Sequence, residues 1–285
     1  MDYKIPELPY VNVLIFSKPA TPGLDFSGTV VSSRDSNLQP GQQVFGATAI
    51  PNFGALAEYV VVGKGFCVPV PNGVSLKEAA CIGIAGLTAY QSIAPFVKAG
   101  DKVFINGGSG GTGTYGIQIA KALGCQVSVS CSGKNAELCS TLGADKVFDY
   151  RSEDVVQALK RSGTQYDLIV DNVFDSGKLY WDSHNYMKEQ GMFVTIAGTP
   201  KLRFITDTIK IMLWPRILGG GQRPFSFVTW VPNVEQLLKV AAWVAEGKVK
   251  ASIEQVYDLE DAGAAYAQLK TGRTRGKLVI KVAGE

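Results

Sequence analysis

The sequence predicts an α/β protein built on a doubly wound parallel sheet, with β-rich segments at both ends of the chain. Three observations carry this expectation. Between residues 100 and 200, short apolar runs alternate with amphipathic ones, and the apolar runs are continuous, the pattern of strands buried on both faces. A glycine-rich stretch, VFINGGSGGTGTYGIQIAKALG at 103–124, joins the first of those runs to a helical pattern. The two ends of the chain carry instead short β-prone pieces broken by Pro and Gly.

In order along the chain, residues 1–75 hold SGTVVSS, QQVFGA and AEYVVVG, each bounded by turn signals. Next comes AACIGIAGLTAYQSIAPFV, 79–97, uncharged over nineteen residues and so long enough to cross a membrane. Its Gly, Thr, Gln, Ser and Pro content, and flanks without an anchoring pattern, predict a buried helix of a soluble protein with no membrane partner. The alternation then runs KVFIN and a helix ending at Gly124, QVSVS and a helix through NAELCSTLG, KVFDY and SEDVVQALKRSG, DLIVDNV and SGKLYWDSHNYMK, and GMFVTIAG. Asn233 is placed to cap the helix VEQLLKVAAWVAEGK. The tail returns to IEQVYDL, a short helix EDAGAAYAQLKTG, and KLVIKV. The simplest arrangement is a central domain, 79–250, flanked by 1–78 and 251–285, two pieces of one β-rich domain that meet in space.

Composition narrows the function classes. The chain has 285 residues, 46% hydrophobic and 19% charged, with a net charge of +3. It is globular, and it lacks the basic block that would track a phosphodiester backbone, so nucleic acid is excluded as a partner. Five cysteines, Cys67, Cys81, Cys125, Cys131 and Cys139, are odd in number and contain no C-x-x-C pair. They predict a reducing compartment, and with no basic, apolar leader at the start the expected location is cytoplasmic. A catalytic zinc needs three protein ligands, and the chain offers one histidine, His184, so no metal site is expected.

The glycine stretch admits two chemistries. Gly108-x-Gly110-x-x-Gly113 matches a dinucleotide fingerprint, a weak signal alone in a chain with 32 glycines. Its place after the first strand and at the start of a helix strengthens it, because free N–H groups and the helix dipole point where a pyrophosphate would lie. The rival reading takes Gly107-x-Ser109-x-Gly111 as the elbow of a serine hydrolase, with Ser109 as nucleophile. That reading needs a histidine in a late loop, whereas His184 lies in WDSHNYMK, the exposed side of a predicted helix. The second strand ends in SVSCSGKN, with no Asp or Glu where an NAD site carries one for the ribose 2′-hydroxyl. Ser132 offers a hydroxyl and Lys134 a cation, groups that suit a 2′-phosphate, so NADPH is the expected cofactor. A Tyr-x-x-x-Lys pair, Tyr266 and Lys270, reads as an ordinary amphipathic-helix pair in the tail.

Together the segments PATPGLDFSGTVV, PGQQVFG, GALAEYVVV, AGLTAYQSI, GDKVFINGGSGGTGTYGIQIAKALG, LGADKVFDYRSED, YDLIVDNV and RTRGKLVIKV resemble the medium-chain dehydrogenase/reductase superfamily. The similarity is to its zinc-free, zeta-crystallin-like branch of quinone oxidoreductases and enoyl reductases, and it runs along nearly the whole chain. The resemblance implies a GroES-like β domain assembled from both chain ends, a Rossmann domain between them, and an active site in the cleft. It implies that the diphosphate rests on Ser109, Gly110, Gly111, Thr112 and Gly113, and the 2′-phosphate near Ser132, Lys134 and Asn135. By the same resemblance Tyr150 flanks the adenosine end, Thr88, Ile196 and Ala197 lie near the nicotinamide, and Lys277 is a weaker match at the phosphate end.

The departure from the family is at the start, where relatives carry several more strands before the segment matching MDYKIPE. The expectation is an incomplete GroES-like domain whose exposed strand edges favour association between chains, as in a homodimer. The function expected is NADPH-dependent reduction of quinones or α,β-unsaturated carbonyl compounds, with trans-acting enoyl reduction in a biosynthetic pathway as a special case. Tyr3 is the matched candidate for the proton donor. The shortened start also predicts weak turnover, and it motivates an alternative in which the chain binds NADPH without redox chemistry, as a sensor or by shaping an intermediate.

Overall fold

The Pro- and Gly-rich first part of the chain forms short strands because its turn residues leave room for nothing longer. In a computed structural model, which describes residues 20–49, 53–196, 202–214 and 219–283, strands β1 (Asp25–Thr29), β2 (Gln43–Ala47) and β3 (Cys67–Pro69) make an antiparallel sheet. A one-turn helix α1 (Leu76–Ala79) follows, started by a capping box in which Ser75 and Glu78 satisfy each other's backbone N–H. Helix α2 (Ala85–Ile93) takes only the middle of the uncharged stretch. No helix among the described residues is long and apolar enough to cross a membrane.

The central alternation folds as a parallel sheet of six strands. These are β4 (Lys102–Asn106), β5 (Gln126–Cys131), β6 (Lys146–Asp149), β7 (Tyr166–Asp171), β8 (Met187–Thr195) and β9 (Phe225–Phe227). Their order is β6-β5-β4-β7-β8-β9, so the order reverses between β4 and β7. In open sheets of this type ligands bind at the carboxyl ends of the strands beside that reversal. The connecting helices are α3 (Gly111–Ala122), α4 (Ala136–Thr141), α5 (Val155–Arg161), α6 (Lys178–Trp181) and α7 (Leu202–Leu213). One face of the sheet packs aromatic side chains edge to face, Phe104 on Phe148 at 6.0 Å and Tyr180 on Phe193 at 5.1 Å. Such pairs add about 0.5–1.5 kcal/mol each beyond the apolar area they bury.

The region 176–188 departs from the helix expected there. It contains only α6 and a separate turn at Ser183–Asn185, because β8 begins at Met187 and claims the end of the pattern.

The tail supplies α8 (Val234–Ala245), β10 (Ile253–Asp258), α9 (Ala262–Lys270) and β11 (Lys277–Lys281), with β10 and β11 parallel. Asn233 caps α8 as expected, accepting the N–H of Gln236 at 3.0 Å. The chain divides into two compact units, residues 1–87 with 231–285 and residues 88–230. Helix α8 packs against β3 and so falls in the first of these. Within that unit the chain ends meet through an ion pair between Lys277 Nζ on β11 and Asp25 Oδ2 on β1, 2.7 Å apart and mostly buried. Asp25 Oδ1 also accepts the N–H of Ile84 at 2.5 Å, so one carboxylate ties three segments of chain together.

Candidate functional site

The glycines after β4 do two different jobs. Gly107 has φ +80°, a backbone region that side-chain-bearing residues avoid. A Cβ on Gly113 would lie 2.2 Å from the carbonyl oxygen of Gly107 and 2.7 Å from that of Gly108, so this glycine lets α3 pack directly on the loop. Gly110 is different. Its φ of −79° suits any residue, and a Cβ there would meet only Gly107 O, at an ordinary 3.6 Å. Gly110 is also the N-cap of α3 and supplies no side-chain cap, so the first N–H groups of a twelve-residue helix lack the usual acceptor. A helix start with an open face and uncapped donors is a cradle for an anion such as a pyrophosphate.

Ser109 does not sit in a hydrolase elbow. Its Oγ accepts a hydrogen bond from Asn135 Nδ2 at 3.0 Å rather than from a histidine. His184 is exposed, with Nδ1 3.1 Å from the carbonyl oxygen of Trp181 and Nε2 3.1 Å from Asn185 Nδ2. The strained, left-handed backbone expected of an elbow nucleophile is absent from Ser109. Outside glycine, that region is occupied among the described residues by Phe174, at φ 42°.

Beneath the loop lies a polar network that the sequence reading missed. Asp171, 2% exposed at the end of β7, uses Oδ1 to accept Asn106 Nδ2 at 2.8 Å and the N–H groups of Val173 and Phe174, both at 2.9 Å. Ser130 Oγ donates to Asn106 Oδ1 at 2.5 Å and accepts the N–H of Gly107 at 3.1 Å. The N–H of Gly108 reaches Ser130 O at 2.9 Å. The ends of β4, β5 and β7 are thereby fastened to each other and to the loop. Burial pushes the Asp171 carboxyl above its ordinary range, against the pull of the three donors. A signal existed in the sequence: Asn106 and Asp171 are polar residues closing apolar runs, KVFIN and DLIVD.

At the end of β5, Ser132 is buried, and its carbonyl oxygen accepts the N–H of Asn135 at 2.8 Å. Lys134 is exposed and makes no ion pair or hydrogen bond among the described residues. Tyr150, 56% exposed, follows β6 and joins the end of β5 through its N–H, 3.2 Å from Cys131 O. The absence of a carboxylate after β5 needs correcting in three dimensions. Asp149, the last residue of β6, pairs with Cys131, the last of β5, and brings a carboxylate alongside.

Thr88 is buried on α2. Ile196 is half-buried just past β8 and donates its N–H to Asp171 O at 3.3 Å. Lys277 is engaged with Asp25 in the other unit. Tyr3 and Ala197 lie outside the described residues. The structure thus brings together Ser109–Gly113, Ser132, Lys134, Asn135 and Tyr150 at the ends of β4, β5 and β6.

Among the described residues, no three or more His, Cys, Asp or Glu side chains gather into a group able to hold a metal ion. The five cysteines are free thiols, and burial pushes Cys81 up to about 12 and Cys125 up to about 11. Those two stay protonated at neutral pH and act as small packing groups.

Comparison with known proteins agrees with this architecture. Residues 2–72 match the alcohol dehydrogenase GroES-like domain and residues 142–280 the zinc-binding dehydrogenase family. The chain is 42% identical over 297 residues to the trans-enoyl reductase pgmF of Aspergillus terreus, covering 99% of this chain and 83% of that protein. It is 35% identical over 290 residues to a zinc-type alcohol dehydrogenase-like protein of Schizosaccharomyces pombe, with 99% and 83% covered. Among solved structures, the quinone oxidoreductase from Coxiella burnetii superposes with a TM-score of 0.79 at 31% identity, covering 92% of this chain and 79% of that one.

Proposed function

Because the chain belongs to the medium-chain dehydrogenase/reductase superfamily, in its branch of quinone oxidoreductases and enoyl reductases, we propose that it is a zinc-independent, NADPH-dependent reductase of α,β-unsaturated carbonyl compounds or quinones. Family membership itself makes the chain an oxidoreductase using a nicotinamide cofactor; the phosphate form, the metal independence and the substrate class are the proposal. The observation that carries it is Gly110, whose open face at the uncapped start of α3 is left free by the protein's own packing.

The residues have distinct tasks. The N–H groups from Ser109 to Gly113 hold the diphosphate, and the Asp171–Asn106–Ser130 network keeps the loop beneath them rigid. Asn135 anchors Ser109, so the diphosphate and ribose ends of the site are set as one piece. Ser132 and Lys134 receive the 2′-phosphate, Lys134 having no ion-pair partner among the described residues. Tyr150 covers the adenosine, while Thr88, Ile196 and Ala197 line the nicotinamide end. When bound, NADPH supplies the hydride. Negative charge then grows on the substrate's carbonyl oxygen, and with no zinc it must be met by hydrogen bonds, with Tyr3 or water delivering a proton to the product carbon. The domains proposed from the sequence are a GroES-like part, 1–78 with 251–285, and a dinucleotide-binding part, 79–250; the compact units move residues 79–87 and 231–250, with α8, to the GroES-like side of that division. The likeness to a trans-enoyl reductase favours an enoyl substrate over a free quinone.

The test is NADPH consumption with a panel of quinones and enones by protein treated with a strong zinc chelator. Undiminished turnover after chelation is expected. Activity that disappears with one stoichiometric zinc and returns on its addition would overturn the zinc-independent reading.

A further inference from the structure

The end of β5 carries a charge arrangement that the glycine fingerprint alone does not describe. Strands β5 and β6 are neighbours, and their register sets Asp149 beside Cys131, one residue before the turn Ser132-Gly133-Lys134-Asn135. A Cβ on Gly133 would lie 2.5 Å from Asp149 Oδ2 and 3.3 Å from its Cγ, so the carboxylate rests directly on the backbone of the turn. Gly133 does not have a positive φ, so its conformation does not call for glycine. What it provides is room for Asp149. The other oxygen, Oδ1, is fixed by the N–H of Arg151 at 2.9 Å. Asp149 and Lys134 form no ion pair with each other or with another described side chain. Two opposite charges therefore flank one turn without neutralising each other.

We infer that Asp149 is a specificity-determining residue of the ribose end, acting against a 2′-phosphate and for a free 2′- or 3′-hydroxyl, so that the choice between NADPH and NADH is a balance of Lys134 against Asp149. The inference rests on the nicotinamide-cofactor reading of the site. In dinucleotide-binding sheets a carboxylate at this end accepts the ribose hydroxyls and repels a phosphate dianion. Here the third strand of the sheet supplies it rather than the second. The wild-type preference for NADPH is accordingly smaller than Ser132 and Lys134 alone would give.

The test is Asp149→Asn, which keeps an oxygen for the Arg151 N–H and removes the charge. Dissociation constants for NADPH and NADH, and for the fragments 2′,5′-ADP and 5′-AMP, are measured by calorimetry at low salt on wild type, Asp149→Asn and Asp149→Ser, each checked for folding. Loss of one charge near a phosphate dianion should raise the NADPH-to-NADH affinity ratio about three- to tenfold, with the same direction in the fragments and a smaller gain at high salt. The serine variant gives the same reading should the asparagine variant fail to fold. A ratio within about twofold of wild type in the folded variants overturns the role of Asp149 while leaving cofactor binding standing. Failure of the wild type to bind either nucleotide overturns both.

Discussion

Gly110→Ala separates a glycine kept for a ligand from a glycine kept for the fold. The new methyl group meets one protein atom, Gly107 O at 3.6 Å, and the backbone at φ −79°, ψ 172° needs no adjustment. The stability cost is then the poorer N-cap preference of alanine, about 0.5–1 kcal/mol, partly offset by about 0.4–1 kcal/mol from the less flexible unfolded chain. The melting temperature should move by no more than about 3 °C. A pyrophosphate on the same helix start has to share its space with the methyl group, and overpacking of this kind costs about 1–3 kcal/mol, or roughly 5- to 150-fold in affinity. Gly113→Ala is the counter-case, because its methyl group would press to 2.2 Å and 2.7 Å on two backbone carbonyl oxygens, and α3 must shift to admit it. The assays are thermal unfolding without nucleotide and NADPH titration by fluorescence. The expected pattern is a stable Gly110→Ala that binds weakly and a Gly113→Ala that is destabilised. Wild-type NADPH affinity in folded Gly110→Ala would refute the cradle, and a loss of stability as large as that of Gly113→Ala would show that the protein itself uses the space.

Two further outcomes follow from the site. Lys134→Ala removes a charge-assisted contact worth about 1–3 kcal/mol and should narrow the affinity gap between NADPH and NADH, chiefly by weakening NADPH; titrations that leave the gap unchanged would remove Lys134 from the site. Asp171→Ala leaves the N–H groups of Val173 and Phe174 and the Asn106 amide without their acceptor, at a cost of about 3 kcal/mol or more in urea unfolding. Asp171→Asn should cost less and should change the pH response. The folded carboxyl holds its proton more tightly than an unfolded one, so this group adds stability as pH falls from its raised value toward the ordinary carboxylate range. Asparagine cannot, and the stability gap between wild type and variant should widen on acidification through that window. A gap that is flat or narrows would contradict the raised carboxyl.

The central strands were legible because VFI, VSV and LIV are runs that only a doubly buried sheet explains, and the Asn233 cap because its side chain acts on a donor three residues away. The region 176–188 misled because an amphipathic pattern carries no mark of where β8 will claim its end at Met187. The site was legible where it is local. Ser109–Gly113 and Ser132–Asn135 are contiguous, and Asn135 reaches back to Ser109 across a single βα unit. What escaped depends on strand adjacency. Asn106 and Asp171 are 65 positions apart and meet only because β4 and β7 pair. Asp149 faces Gly133 only because β6 lies beside β5 in register. Nor does the sequence distinguish Gly110 from Gly113, two glycines of one motif whose roles differ by what their missing methyl groups would touch.

The most direct measurement of the central claim is isotope transfer. The protein is incubated with NADPH carrying deuterium at the transferable position of the nicotinamide and, in turn, with an α,β-unsaturated thioester, an enone and a quinone, and the products are analysed by mass spectrometry and NMR. The account predicts a saturated product with one deuterium on the carbon β to the carbonyl of the thioester or enone, or one hydroquinone formed per NADPH consumed with the quinone, at a rate that falls with Gly110→Ala. Tight NADPH binding with no deuterium in the thioester or enone product and no hydroquinone formed would contradict it.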